Sequence, residues 1–285
     1  AKNDDAFARG LAALAQVYVN DAFGCAHRAH ATVVAVPRLV PDRAAGLSFL
    51  QEIETLSKFL IPAPGAQPAA IERPFVLALG GASVASRIGV IDQLLGLCDS
   101  ILIGGNMAFT FLAAQGLSVG RSPVDEERIA QARRVLLKAE AKGVEILLPS
   151  DHVVTPEIAA DAPVDIAENG HVGATSFCAD IGPATAAAFA RRIEAAGTVL
   201  WSGPMGAYEH ESFARGTLQV AQAVARARTS VVIGGDSSLA LRKAGVVPFV
   251  THLSTGGGAA LEFLEGKELP GIEALRQSRR SVDVA

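Results

Sequence analysis

Six short apolar runs, FVLALGG, SILIGG, EILLPSD, TVLWSGP, SVVIGGD and FVTHLS, recur along the chain with longer amphipathic stretches between them. Near-continuous hydrophobicity over a few β-prone residues is what a parallel strand covered on both faces requires. The intervening stretches carry helix punctuation: ERIAQARRVLLKAEAKG stops at Gly143, and PATAAAFARRIEAAG has Pro183 near its start and Gly197 at its close. Proline inside the start and glycine past the end is the helical asymmetry. The pattern predicts repeated βαβ units, and so an α/β fold with a doubly wound, Rossmann-like parallel sheet and helices on both faces. A chain that is 50% hydrophobic and 19% charged has the apolar content to bury such a sheet.

Three of the runs lead into glycine-bearing turns: WSGPMGAYE from Trp201 to Glu209, GGDSS from Gly234 to Ser238, and STGGGA from Ser254 to Ala259. Glycine lets backbone N–H groups approach a phosphate with no Cβ in the way, and such turns at strand ends predict a nucleotide site. A net charge of −4 gives no general attraction to nucleic acid or to anionic membranes, so phosphate binding has to come from local groups. Neither a GxxxxGK[ST] loop nor a GxGxxG fingerprint with a following acidic residue occurs, which sets aside P-loop and dinucleotide dehydrogenase chemistry. Cys25, Cys98 and Cys178 are odd in number and lack metal-ligand spacing, as structural thiols in a reducing compartment do. No apolar run reaches the roughly 18 residues of a membrane span, and AKNDDAF has no signal-peptide pattern.

These turns, together with LALGGASVASRIGVIDQLL, ILIGGNMAFTFL, LEFLEGKELPGIEAL and the block YVNDAFGCAHRAH, resemble phosphoglycerate kinases, in order from about Lys2 to about Leu275. The resemblance implies four parts. Residues 1–41 would be a remnant of the N-terminal substrate domain, without the part of it that carries the family's main substrate-binding arginines. DRAAGLSFLQEIETLSKFL, Asp42 to Leu60, reads as one long amphipathic helix, and with the Pro/Gly/Ala loop from Ile61 to Ala70 it makes 42–70 the interdomain helix and loop. Residues 71–270 would be the nucleotide-binding domain and 271–285 a C-terminal tail.

The resemblance also assigns roles. His27, Arg28 and His30 match a substrate-binding basic patch. Gly81, Ala82, Asn106, Ser202, Pro204, Glu209, Gly235, Asp236, Ser237, Gly256 and Gly258 match nucleotide contacts, with Glu209 on the ribose and Asp236 on magnesium carried by the nucleotide. Arg87 and Gly257 match catalytic positions. Departures accompany the matches: Ser83 and Arg87 stand where GGAKVSDKIGV-like blocks have lysines, Ser86 replaces the aspartate, Asn106 a glycine and Ser202 an asparagine. Arg87 keeps a positive charge, whereas Ser83 removes one beside the transferring group.

The resulting expectation is a phosphoglycerate kinase homologue, deficient in catalysis as this chain and serving as a structural or nucleotide-binding subunit of a larger assembly. The alternative is an active kinase whose N-terminal domain lies outside this chain or is supplied by another. Mg-ATP or Mg-ADP is the implied cofactor, with no tightly bound metal. The implied partner is another chain or a second copy covering residues 1–36, because Phe7, Leu11, Leu14, Val17 and Val19 would otherwise be uncovered. No nucleic acid and no membrane insertion are expected. The expected location is soluble and reducing, either cytoplasmic or, after removal of a transit peptide, in a chloroplast or mitochondrion.

Overall fold

The first helix begins where a side chain can satisfy its free N–H groups: Asp4 Oδ1 accepts from the Phe7 amide at 2.7 Å, and α1 runs Asp5–Ala12. The computed structural model describes residues 2–60 and 71–276. β1 (Val17–Asn20) follows α1. A 3₁₀ turn at Phe23–Cys25 and a π turn at Ala31–Ala35 then lead into the short α2 (Val36–Leu39). β2 (Asp42–Ala45) pairs in parallel with β1, Val17 opposite Asp42 and Asn20 opposite Ala45. Tyr18 turns toward Ala8, Ala31, Ala35 and Val36 of the helical side, while Val17 and Val19 remain exposed.

The single helix expected from Asp42 to Leu60 is therefore a strand and a shorter helix, α3 (Leu47–Ser57). Asp42–Ala45 is taken up by β1, and Gly46 stands extended at the helix start with φ −74° and ψ 169°. Asp21, distant in sequence, accepts the Phe49 amide there at 2.9 Å and leaves no room for a Cβ on Gly46. The expected loop at 61–70 lies outside the described residues.

All six apolar runs are strands of one parallel sheet: β3 (Phe75–Leu79), β4 (Ser100–Ile103), β5 (Glu145–Leu147), β9 (Thr198–Ser202), β10 (Thr229–Ile233) and β11 (His252–Ser254), in spatial order β11-β10-β9-β3-β4-β5. The interleaved helices are α4 (Ile88–Leu94), α5 (Gly105–Ala114), α6 (Ile129–Lys142), α7 (Pro183–Glu194), α8 (Arg215–Val224) and α9 (Gly235–Lys243). Val76, Ala78, Val199, Trp201 and Val232 pack with residues of α7, α8 and α9. The alternate strand residues Leu77, Leu79, Ile101, Ile103 and Leu200 are equally buried, so the sheet is covered on both faces, as its apolar pattern requires. Registers place Leu79 opposite Ser202 and Ile103, and Ile233 opposite Ser202 and Ser254, which lines up the carboxyl ends of the strands.

A second, antiparallel sheet was not legible in the sequence: β6 (Asp151–Thr155) lies between β7 (Asp165–Glu168) and β8 (Phe177–Ile181).

The chain divides into two compact units, Ile61–Ser254 and Ala1–Leu60 with Thr255–Ala285. One division between them falls after Ser254, while the boundary expected at residue 270 falls at Pro270, where a helix starts. α10 (Gly258–Leu264) and α11 (Pro270–Arg276) belong with the first sixty residues. The cause is aromatic packing: the Phe23 ring meets Phe49 at 5.3 Å and Phe263 at 5.9 Å, edge to face in both cases. The Gly271 amide also donates to the Ala26 carbonyl at 2.9 Å.

Candidate functional site

In the Ile61–Ser254 unit, three glycine turns at the strand ends are laced to one another through the backbone. Gly80 N–H donates to the Ser202 carbonyl at 2.9 Å, Gly81 N–H to Pro204 at 2.7 Å, Gly104 N–H to Leu79 at 2.8 Å and Gly105 N–H to Met205 at 2.9 Å. Backbone this close to backbone excludes side chains: a Cβ on Gly203, which has φ +92°, would lie 2.4 Å from the Gly80 oxygen. Gly235 differs, since a Cβ there would meet nothing within 4 Å. Its backbone faces open space at the first turn of α9, where helix N–H groups favour anions.

Side chains around these turns divide into those that shape and those that are reachable. Ser237, matched by resemblance to a nucleotide contact, is fully buried; its hydroxyl accepts from Gly203 N–H at 2.7 Å and donates to the Ile233 carbonyl at 3.0 Å. Ser202 and Pro204 are buried as well, and each lends its carbonyl to the first glycine turn. These three hold the loops in place. Gly81 and Asn106 are half-buried, while Ala82, Ser83, Glu209, Gly235 and Asp236 are exposed and available to a ligand.

Arg87 precedes α4 and folds over Gly81, its Nη2 lying 2.9 Å from where a Cβ of Gly81 would be. Nη1 donates to Ser86 Oγ at 2.9 Å, and Ser86 Oγ donates to the Ser83 carbonyl at 3.1 Å. The Arg87 Nε is buried without a hydrogen-bond partner. Burial pulls the Arg87 pKa down and the Asp236 carboxylate pushes it back up. Asp236 Oδ1 accepts from the Tyr208 hydroxyl at 3.4 Å. Burial, and then the negative charges of Asp236 and Glu209, raise that phenol to about 12.

The other unit holds the expected substrate residues. His27 and His30 are half-buried and Arg28 is exposed; Arg28 Nε donates to His27 Nε2 at 3.3 Å, and His27 Nδ1 is buried without a partner. Gly256, Gly257 and Gly258, expected in the nucleotide domain, fall in this unit, and a Cβ on Gly258 would lie 3.7 Å from His27 Nε2. Gly257 adopts φ +51° and ψ −120°. Glu52 of α3, 3% exposed, fixes the glycine turn by accepting from the Thr255 amide at 2.6 Å and the Thr255 hydroxyl at 2.8 Å. Sequence reasoning missed Glu52, and it missed Asp180 of β8, whose carboxylate receives the Gly216 and Ile181 amides. Each is one carboxylate among 29 acidic residues, and no local pattern marks either as buried.

Among the described residues no cluster of three or more His, Cys, Asp or Glu side chains is placed to hold a metal. A lone exposed carboxylate such as Asp236 fits magnesium that arrives on phosphates, because that ion keeps most of its water and takes few protein ligands. The open face of Gly235 and the unpartnered Arg87 Nε fit the phosphates themselves.

Comparison with known proteins identifies the family. The family model for phosphoglycerate kinase matches residues 1–267. The phosphoglycerate kinase of Chlorobium chlorochromatii is 50% identical over 277 residues, covering 96% of this chain and 68% of that protein. The Moorella thermoacetica enzyme is also 50% identical, over 97% of this chain and 68% of its own length. Among solved structures, the phosphoglycerate kinase from Coxiella burnetii superposes with a TM-score of 0.86 at 38% identity, covering 96% of this chain and 69% of that one. The one from Pyrococcus horikoshii gives 0.80 at 30% identity, with 94% and 65% covered.

Proposed function

The chain belongs to the phosphoglycerate kinase family, and from that premise we propose that it retains an adenine-nucleotide site in its Ile61–Ser254 unit but, by itself, is deficient in moving a phosphoryl group between 1,3-bisphosphoglycerate and ADP. Gly81, Ala82 and Asn106 would line the base, Pro204 and Glu209 the ribose, and Gly235, Asp236 and Arg87 the phosphates. Magnesium, when bound, neutralises phosphate oxygens, and Asp236 is the residue that would hold it. In the other unit, the planar fork of Arg28, with His27 and His30, would take the carboxylate or phosphate of phosphoglycerate.

One observation carries the deficiency: Arg87 supplies the positive charge over Gly81, whereas Ser83 on the same loop presents an exposed, neutral hydroxyl. Phosphoryl transfer is almost wholly positioning and charge neutralisation, so a missing cation is felt directly in rate. The structural or nucleotide-binding subunit role, with another chain or a second copy over residues 1–36, belongs to the same proposal. The free thiols of Cys25, Cys98 and Cys178 support a reducing compartment. Among the described residues no helix is long and apolar enough to cross a membrane.

A coupled assay on the purified chain with 3-phosphoglycerate and Mg-ATP tests the reading. Turnover is expected far below the roughly 1–100 s⁻¹ of kinases, and Ser83→Lys alone is expected not to restore it. Rates inside that range would overturn the deficiency. The second reading, an active kinase whose N-terminal domain lies outside this chain or is supplied by another, is favoured by the naming of relatives at 50% identity as phosphoglycerate kinases.

A further inference from the structure

Helices α7 and α8 pack against each other, and a groove of about 770 Å³, open to solvent, is bounded by them and by the β6–β7 side of the antiparallel sheet. The sequence of α7 accounts for the space. Beyond Pro183, the apolar side chains that PATAAAFARRIE sets along the groove are Ala186, Ala187 and Ala190, too short to fill it. Half-buried Leu218 of α8 and the exposed Val164 and Ile166 at β7 line the same groove, and apolar side chains gathered in one open depression mark an interaction surface. Charge is uneven around that floor. Three arginines, Arg191, Arg215 and Arg226, line it against one carboxylate, Glu194, which is already paired with Arg226 at 2.7 Å. Arg191 and Arg215 have no ion-pair partner among the described residues. Arg215 is also the first residue of α8, where the helix dipole opposes a cation and favours an anion. On a chain of net charge −4, such an excess of cations selects an acidic partner.

We propose that this groove docks an acidic amphipathic helix of another protein, its apolar face on the alanines of α7 and on Leu218, its carboxylates on Arg191 and Arg215. A helix suits the groove better than an added strand does. β7 is the edge strand on this side, but its Ile166 amide is already engaged by Asp165 Oδ1 at 2.8 Å, which blunts it as a template for pairing. The groove lies wholly within the Ile61–Ser254 unit and shares no residue with the glycine turns or with residues 1–36. It is therefore a second partner surface, and it does not depend on the nucleotide reading.

The test is fluorescence anisotropy of the full chain with two labelled helical peptides. One has leucine at i, i+3, i+4 and i+7 with alanine and glutamate elsewhere, and the other has lysine in place of every glutamate. The acidic peptide is expected to bind about tenfold or more tighter than the basic one, and less tightly as salt is raised toward about 1 M. Arg191→Glu with Arg215→Glu is expected to reverse that order, weakening the acidic peptide and strengthening the basic one, a gain that a merely misfolded variant does not give. Equal binding of the two peptides to the unaltered chain would overturn the proposal, as would a double variant that binds the acidic peptide as the unaltered chain does. No binding of the acidic peptide up to millimolar concentration would overturn it too, and a lower sedimenting mass for the double variant would then name a second copy of this chain as the occupant. The comparison of peptides on the unaltered chain, with its salt dependence, decides the matter even where the variant fails to fold.

Discussion

Asp180 illustrates how a single carboxylate can set a pH dependence. It is 3% exposed; burial pushes its carboxyl from 3.8 up to about 7, although the Gly216 and Ile181 amides it accepts pull the other way. Below about pH 4 the group is protonated in both folded and unfolded chains and contributes no slope. Between about 4 and 7 the folded chain keeps a proton that the unfolded chain has lost, so stability attributable to this residue falls as pH rises. Above about 7 the penalty is constant. Asp180→Asn, neutral throughout, is therefore expected to gain stability relative to the unaltered protein between pH 4.5 and 7.5, read by urea unfolding at each pH. A stability difference that does not change over that range would mean the carboxylate ionises at an ordinary pH. Ser237 makes a different residue-scale case, because its hydroxyl is the acceptor for the buried Gly203 amide. Ser237→Ala leaves that N–H unpaired and is expected to cost about 1–3 kcal/mol in the same unfolding measurement. A variant within a few tenths of the unaltered protein would show that the turn finds another acceptor.

At the scale of elements, the six strands of the parallel sheet were legible because each sits in a short apolar run, and β3, β4 and β9 are buried along their whole length. That signal does not depend on what lies elsewhere in the chain. β2 was hidden because DRAA has no strand pattern of its own and exists as a strand through pairing with VYVN. The start of α3 was hidden because Asp21 reaches it from another segment, and caps supplied across the fold leave no local motif. β7, with sequence DIAE, has most of its residues exposed and so lacked the apolar run that betrays a buried strand. The site shows the same division: the glycine turns were readable from their strands, while the roles of Ser237, Glu52 and Asp180 depend on burial. The placement of Gly256–Gly258 beside His27 escaped because it depends on Phe263 of α10 packing on Phe23, a contact between distant segments that no local pattern marks. Glu52 gives this scale its own expectation. Glu52→Ala leaves the Thr255 amide and hydroxyl without that acceptor and should loosen the 255–258 turn, seen as faster hydrogen exchange at those amides while strands β3 and β9 keep their protection. Unchanged exchange at 255–258 would show that the turn is held by other contacts.

At the scale of the whole molecule, the unit containing the chain's first sixty residues leaves apolar surface uncovered. Its parallel sheet has two strands, whereas parallel sheets are stable when both faces are covered and two strands alone are marginal. One face meets the α1 and α2 side through Tyr18. The other presents Val17 and Val19, each 58% exposed, and Phe7 and Leu14 are at 58% and 81%. Val17 and Val19 are the apolar surface that the partner proposed above for residues 1–36 would cover. The purified chain at micromolar concentration is expected to sediment above monomer mass in a concentration-dependent way. Val17→Thr with Val19→Thr, which keeps β-branched residues on the strand while removing apolar surface, is expected to move it toward monomer with little loss of stability. A monomer at all concentrations, with the amides of Val17–Asn20 strongly protected from exchange, would show that this small sheet stands without a partner and would remove the case for an obligate one.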